Sequence, residues 1–279
     1  MSDFQKAVEI VHEALHELHE HGVELRTSTA TLERLAEAAA ATTPAIAEPS
    51  SPQPDPLLAN PMAPPRPASL GPSNAERLAE IRPGILACTK CPHLVRSRTQ
   101  VVFGVGNPDA ELMFVGEAPG EDEDRQGEPF VGRAGELLTK IITAMGFARG
   151  DVYIANVLKC RPDMPPGEPG NRKPRPDEME TCLPYLRQQI EIIQPRALVA
   201  LGATAMQGLT GDTSAMARLR GRWHEFDGIP LMATYHPAYL LRNQSMSEKR
   251  KVWEDMLLVL EKLGKPISQK QRNFFLPRS

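Results

Sequence analysis

The sequence is poor in aromatics, in cysteine and in long apolar runs, and each shortage narrows what it can be. Only 5% of its 279 residues are aromatic, and residues 1–72 hold a single one, Phe4. That stretch lacks the large side chains from which a core is built. No stretch approaches the ~18–20 apolar residues of a membrane span. The opening residues 1–18 are amphipathic and charged, unlike the apolar centre of a signal peptide. A soluble cytoplasmic chain is therefore expected, one that makes no use of a membrane. A large excess of one charge is also missing, the net being −3. The distribution is uneven, however. Residues 1–72 carry four basic residues against ten acidic ones, leaving 28 of the 32 basic and 25 of the 35 acidic residues to the rest. An acidic front thus precedes a mildly basic body, which is compatible with a polyanionic partner without demanding one. The four cysteines, Cys88, Cys91, Cys160 and Cys182, are better read in a reducing compartment as metal ligands or core thiols than as disulfides.

Phe4, Val8, Val11, Leu15 and Leu18 recur at spacings of three and four, the stripe of one helix. A second short helix over residues 31–41 completes an N-terminal helical segment, 1–41. Residues 42–72 are rich in Pro, Ala and Ser, and ten of the 27 prolines lie in 1–72. Such a segment cannot bury enough surface to fold alone and is expected to be a flexible, disordered linker. The body, 73–265, opens on Ser73-Asn-Ala-Glu76, the pattern of a helix capping box. Apolar runs at 112–115, 152–157, 197–201 and 231–235 then alternate with helical patterns at 134–145, 177–193, 203–209 and 248–263. This alternation predicts an α/β fold: a three-layer α/β/α sandwich around a mainly parallel, four-stranded sheet. In such sheets ligands bind beyond the carboxyl ends of the strands. That rule singles out Gly116-Glu-Ala-Pro-Gly120, Asn156, Gly202 and His236.

Those positions carry the chemistry. The turn after the first run bears Glu117, Glu121, Asp122, Glu123 and Asp124, which reads as a solvated acidic loop or as a site for a hard cation such as Mg²⁺. Phe130, in a polar setting, is either a core plug or a stacking platform for a base. Asn156 ends an apolar strand. It either bonds local backbone or reads a base, since a fixed amide accepts from N3–H of uracil and donates to O4, a pattern cytosine reverses. His236, pinned by Pro237 after the last strand, is a catalytic candidate. Leu240 offers a wedge into a base stack or the start of a packed helix, and Arg242 a phosphate contact or a solvated charge. C-x2-C, a 68-residue gap, and then Cys160 and Cys182 separated by 21 residues match the ligand count of a tetrathiolate site, zinc or iron–sulfur. Between the last two cysteines lie Arg161, Arg172, Lys173 and Arg175, a solvated loop or a set of cations for a DNA backbone.

Taken together, C-T-K-C-P, the run from G-E-A-P-G-E-D-E-D to G-E-P-F-V-G-R-A-G, N-V-L-K-C-R-P, N-R-K-P-R-P-D-E, L-G-A-T-A and H-P-A-Y-L-L-R resemble the family 4 uracil-DNA glycosylases. The resemblance covers roughly residues 76–263. It implies an enzyme of base excision repair that flips uracil out of DNA and hydrolyses its N-glycosidic bond, at home on the bacterial nucleoid. By the same resemblance Cys88, Cys91, Cys160 and Cys182 hold a 4Fe–4S cluster. Glu117 and the amide of Ala118 line the uracil pocket, Phe130 stacks on the base, Asn156 reads its edge, and His236 hydrogen-bonds O2. Leu240, Arg242, Arg172 and Lys173 are the candidate DNA contacts. Family 1 enzymes carry a water-activating Asp in G-Q-D-P-Y. Ala118 stands in that place here, so water activation falls to Glu117 or Glu123. A related branch cross-links through a His before its fourth cysteine; no His lies between Cys160 and Cys182, so turnover by a monomer is expected. The competing readings are a carboxylate-rich metal-dependent hydrolase and a non-catalytic DNA-binding module with structural zinc. In the tail, 266–279, Gln271-Arg-Asn-Phe-Phe275 has the form of a bacterial sliding-clamp-binding pentapeptide, with Gln271, Phe274 and Phe275 as its anchors. The commoner alternative is that both phenylalanines fold back onto the body.

Overall fold

A computed structural model describes residues 71–276 except 166, 167 and 169. The helical segment and linker expected before residue 71 lie outside the described residues. The body opens on α1 (Asn74–Leu86), whose capping box joins the Ser73 and Glu76 side chains to each other's backbone N–H groups. The short helix α2 (Pro92–Ser97) follows the first two cysteines. The strands are β1 (Val105–Gly106), β2 (Leu112–Gly116), β3 (Tyr153–Asn156), β4 (Ala197–Leu201), β5 (Trp223–Phe226) and β6 (Ile229–Thr234). Between them run α3 (Glu121–Gln126), α4 (Arg133–Met145), a 3₁₀ turn at Arg149–Asp151, α5 (Pro176–Ile193), α6 (Ala203–Thr210) and α7 (Met216–Leu219). The chain ends on α8 (Pro237–Arg242), α9 (Met246–Lys262) and α10 (Gln269–Arg272).

The sheet has the order β1-β3-β2-β4-β6-β5. Its four central strands are parallel, as expected, but it has six strands and not four. Antiparallel β1 and β5 complete the two edges. Alternate side chains of each strand enter opposite layers. Met113, Val115, Leu198 and Ala200 pack with Leu186 and Ile190 of α5 and Met206 of α6. Leu112, Phe114, Ala197 and Val199 pack with Leu138 and Ile142 of α4 and Trp253, Met256 and Leu260 of α9. Both faces are therefore dry, which is why the strands read as unbroken apolar runs. Each large side chain so buried contributes about 1.5–3 kcal/mol. Among the described residues no helix is long and apolar enough to cross a membrane.

Successive strands are added to the left of β2 (β3) and then to the right (β4, β6), so the order reverses between β2 and β4. This reversal opens a crevice at the carboxyl ends of those strands. The end of β6 is fixed from below: Thr234 Oγ1 donates to the buried Asp255 of α9 at 2.7 Å, and Arg220 pairs with the same carboxylate at 2.7 Å. His236 stands two residues beyond this anchor.

The tail docks. Phe274 lies against Trp253, ring centroids 5.1 Å apart, and Phe275 packs partly buried beside it. Trp253 Nε1 donates to the Gln271 carbonyl (2.6 Å), the Gln271 amide donates to the Ala144 carbonyl (3.0 Å), and Arg250 donates to the Phe274 carbonyl (2.9 Å). Gln271, Phe274 and Phe275, the anchors of the clamp-peptide reading, are thus in contact with the body, as the fold-back alternative expects, because two adjacent aromatics gain more from an apolar surface than from water.

Candidate active site

The crevice floor is the ends of β2 and β3, where Gly116 and Asn156 are paired in register. Asn156 is only 2% exposed, and its Oδ1 is buried with no hydrogen-bond partner among the described residues. An orphaned buried acceptor costs about 1–3 kcal/mol, so it signals a missing donor. A β-carbon on Gly116 would lie 2.3 Å from that oxygen and 2.6 Å from the Phe130 ring. The absent side chain at 116 thus lets an unpaired acceptor and an aromatic ring close in on the end of β2.

Phe130 supplies the ring from an unusual backbone. Its φ is +56°, a conformation that costs a non-glycine residue roughly 1–2 kcal/mol. It is 7% exposed and lies parallel to the His236 imidazole, centroids 5.6 Å apart and planes 30° apart. The following peptides are held by Glu123: one carboxylate oxygen accepts from the Val131 and Gly132 N–H groups at 3.0 and 3.2 Å, the other from the Gly120 N–H at 3.0 Å. Both Glu123 oxygens therefore build the loop. Of the two carboxylates considered for handling water, Glu123 is engaged in structure and Glu117 remains.

His236 caps α8, its Nδ1 accepting from the Ala238 N–H at 3.1 Å. That bond assigns the proton of the neutral ring to Nε2. Burial, with the charge of Arg242 adding to it, pulls its pKa down to about 4. The imidazole is thus a neutral donor at physiological pH. A β-carbon on Gly202, whose φ is +98°, would come within 3.1 Å of the His236 β-carbon. Glycine there lets the start of α6 and the His236 turn meet.

Glu117 follows Gly116 directly, with Ala118 half-buried after it. Burial pushes the Glu117 carboxyl above the usual carboxylate range, opposed by a hydrogen bond from Thr204 of α6 and by the charge of Lys173. Sequence reasoning did not reach Thr204 or Gly116 as individual site residues. The only signals were the threonine of L-G-A-T-A and the first glycine of G-E-A-P-G.

The expected DNA contacts separate. Lys173 and Arg242 are exposed, and Lys173 makes no ion pair among the described residues. Arg172 does not project to solvent: it pairs with Asp163 and with buried Glu178, at 2.6 Å to the latter. Although burial alone raises the Glu178 carboxyl, Arg172, the Arg175 amide and His93 hold it at about 2. Arg172 is thus a brace of the loop. Leu240 is 5% exposed, so the packed-helix reading holds and it offers no wedge on this surface.

The four cysteines, none in a disulfide, converge from α2's approach, the β3–α5 connection and α5 on one small cavity of about 20 Å³. Hydrogen-bond donors point at the sulfurs: Arg98 Nη1 at 2.9 Å from Cys160 Sγ and the Lys159 N–H at 3.3 Å from Cys182 Sγ. Fully buried Lys159 bonds Gln189 through its ammonium at 2.6 Å. Burial lowers that ammonium to about 8, against the opposing effect of Cys182. Four sulfur donors with cationic surroundings suit an anionic tetrathiolate metal group. The other clustered ligands, His93, Asp163 and Glu178, are already joined by the Arg172 guanidinium and the His93–Glu178 contact of 2.7 Å.

Comparison with known proteins adds the family. Residues 103–257 match the uracil DNA glycosylase superfamily. The chain is 49% identical over 172 residues to a type-4 uracil-DNA glycosylase of Thermotoga maritima, covering 61% of this chain and 85% of that one. It is 43% identical over 182 residues to the type-4 enzyme of Archaeoglobus fulgidus, covering 62% and 88%. A type-5 uracil-DNA glycosylase of Pyrobaculum aerophilum is 31% identical over 189 residues, covering 56% and 80%. With a family match over more than half of the chain and type-4 relatives covered over most of their own length, the chain belongs to the type-4 uracil-DNA glycosylases.

Proposed function

We propose that Asn156, Phe130 and His236 form the site at which this DNA-repair glycosylase holds a flipped uracil. The carrying observation is the orphaned Oδ1 of Asn156, beside the Phe130 ring at the glycine that ends β2. Uracil satisfies it: N3–H donates to Oδ1, and the amide nitrogen donates to O4. The Phe130 ring stacks on the base, and His236 Nε2–H donates to O2. As the C1′–N1 bond breaks, its electron pair moves into uracil and charge grows at O2. A neutral, preoriented donor in a dry site stabilises that charge strongly. Water adds to C1′ while its proton passes to Glu117, whose environment favours a base nearer neutral pH than an ordinary carboxylate. Free uracil and an abasic site result. Exposed Lys173 and Arg242 meet backbone phosphates.

Incubating the chain with single- and double-stranded DNA carrying one uracil, with and without chelator, should give abasic sites in both conditions. Activity that vanishes with a divalent-ion chelator would favour the metal-dependent hydrolase. The Glu117 role gives a pH signature. Its pKa is raised, so the carboxylate is present only above the ordinary glutamate range. The rate should therefore fall with acidification earlier than an exposed glutamate would dictate. Glu117→Gln should lower single-turnover rates about 100-fold and flatten that limb. An unchanged acid limb in Glu117→Gln would remove it as the base.

Cys88, Cys91, Cys160 and Cys182 would hold a 4Fe–4S cluster. The support is their convergence, the all-sulfur donor set and the donors aimed at the sulfurs. When bound, the cluster supplies a cross-link that fixes the 161–175 loop to the sheet, with no redox step required. Cys160→Ser is expected to give colourless, iron-poor protein with a lowered melting temperature. Iron-free protein as stable as the parent would exclude this structural role.

A further inference from the structure

We propose that Arg149 is a positioning residue of the uracil pocket, clamping the Phe130 backbone in the left-handed conformation that turns its ring into the stacking face. This rests on the reading that Phe130 stacks on uracil. Phe130, at φ +56°, keeps that backbone only if its surroundings over-determine it. Arg149 does so together with Glu123. Its Nη2 donates to the Pro129 carbonyl at 2.7 Å and to the Phe130 carbonyl at 3.1 Å, and its Nη1 donates to Thr139 Oγ1 of α4 at 3.1 Å. Arg149 thus grips the carbonyls of the peptides before and after the ring, while Glu123 holds the amide of the second and of the peptide that follows it. Room to relax is lacking: a β-carbon on Gly135 of α4 would lie 1.7 Å from the Phe130 carbonyl oxygen.

The geometry asks for arginine. One rigid fork reaches two carbonyls and a hydroxyl together, whereas a lysine ammonium is a single point on a flexible stem. Arg149 also sits in the 3₁₀ turn that leads into β3, four residues before that strand begins and in the segment that ends on Asn156. The stacking ring and the edge-reading amide are therefore referred to one short piece of chain. Arg149 touches no reacting atom in this arrangement; it acts through Phe130.

The test is a double-mutant cycle on the full-length holoenzyme, with Arg149→Met and Arg149→Lys in the parent and in Phe130→Ala. Three quantities are read: the inhibition constant of free uracil, the affinity for abasic-site DNA, and the melting temperature. Arg149→Met should weaken free uracil about tenfold, the size of one lost base–aromatic stack. Abasic-site DNA should bind as before. In the Phe130→Ala background Arg149→Met should cost less than about twofold more, the signature of two residues acting as one unit. Arg149→Lys, which keeps the charge and loses the fork, should fall between. An Arg149→Met penalty as large in Phe130→Ala as in the parent would overturn the proposal. So would parallel losses of uracil and abasic-site binding in both Arg149 variants. If Phe130→Ala alone leaves uracil inhibition unchanged, the stacking reading is what fails, and the proposal falls with it.

Discussion

Asn156→Ala is expected to reduce uracil excision by roughly 10²–10⁴-fold, the range for two buried hydrogen bonds left unmade at about 1–3 kcal/mol each. The side chain is 2% exposed and its Oδ1 has no partner. Neither N3–H nor O4 of a bound uracil would find water in its place. Asn156→Asp should be at least as damaging. An ionised aspartate still accepts from N3–H, but it sets a second acceptor against O4 and pays desolvation in a closed pocket. Single-turnover rates on uracil-containing DNA check this, together with melting curves. The fold should hold, because removing a polar atom that bonds nothing costs the free protein little. Either variant excising uracil within about threefold of the parent would leave Asn156 without a reading role.

How much of this was legible beforehand differs by feature. The parallel core was, because strands buried on both faces read as unbroken apolar runs. The carboxyl-end rule then placed Glu117, Asn156 and His236 at one crevice without any contact being known. The edge strands were not: β1 is two residues long, too short for any pattern. A signal for β5 did exist in Asp227-Gly228, both at positive φ, the pair that a tight hairpin turn selects. Side-chain pairing was the least legible. Arg172 reads as a free cation among prolines, yet Glu178, in the first turn of the next helix, takes it. Glu123 reads as one of five clustered carboxylates, yet three amides fix it. Such assignments depend on how the loop closes, and composition carries no record of that. The tail shows the same limit: two terminal phenylalanines look like an offered peptide until Trp253 is seen to receive them.

Gly116→Ala is the substitution with the largest expected effect for the smallest chemical change. A methyl group at 116 would stand 2.3 Å from Asn156 Oδ1 and 2.6 Å from the Phe130 ring, well inside van der Waals contact on both sides. Neither neighbour gives way cheaply. Asn156 belongs to a central strand paired with β2, and the Phe130 backbone is braced by Glu123. If they did move, the two groups proposed to recognise uracil would both be displaced, and displacement by about 1 Å already costs on the order of 10²-fold. If they did not, the methyl could not be accommodated between them. Excision should fall by about 10⁴-fold or more, since reading and stacking are lost together. The penalty for the free protein should stay near the roughly 1–3 kcal/mol of an overpacked site, leaving a folded enzyme that no longer responds to free uracil. The discriminating observation is that pairing of retained fold with lost uracil binding. Near-normal excision by Gly116→Ala would show that the base does not lie over this glycine, and the pocket would have to be sought elsewhere along the β2–β4 crevice.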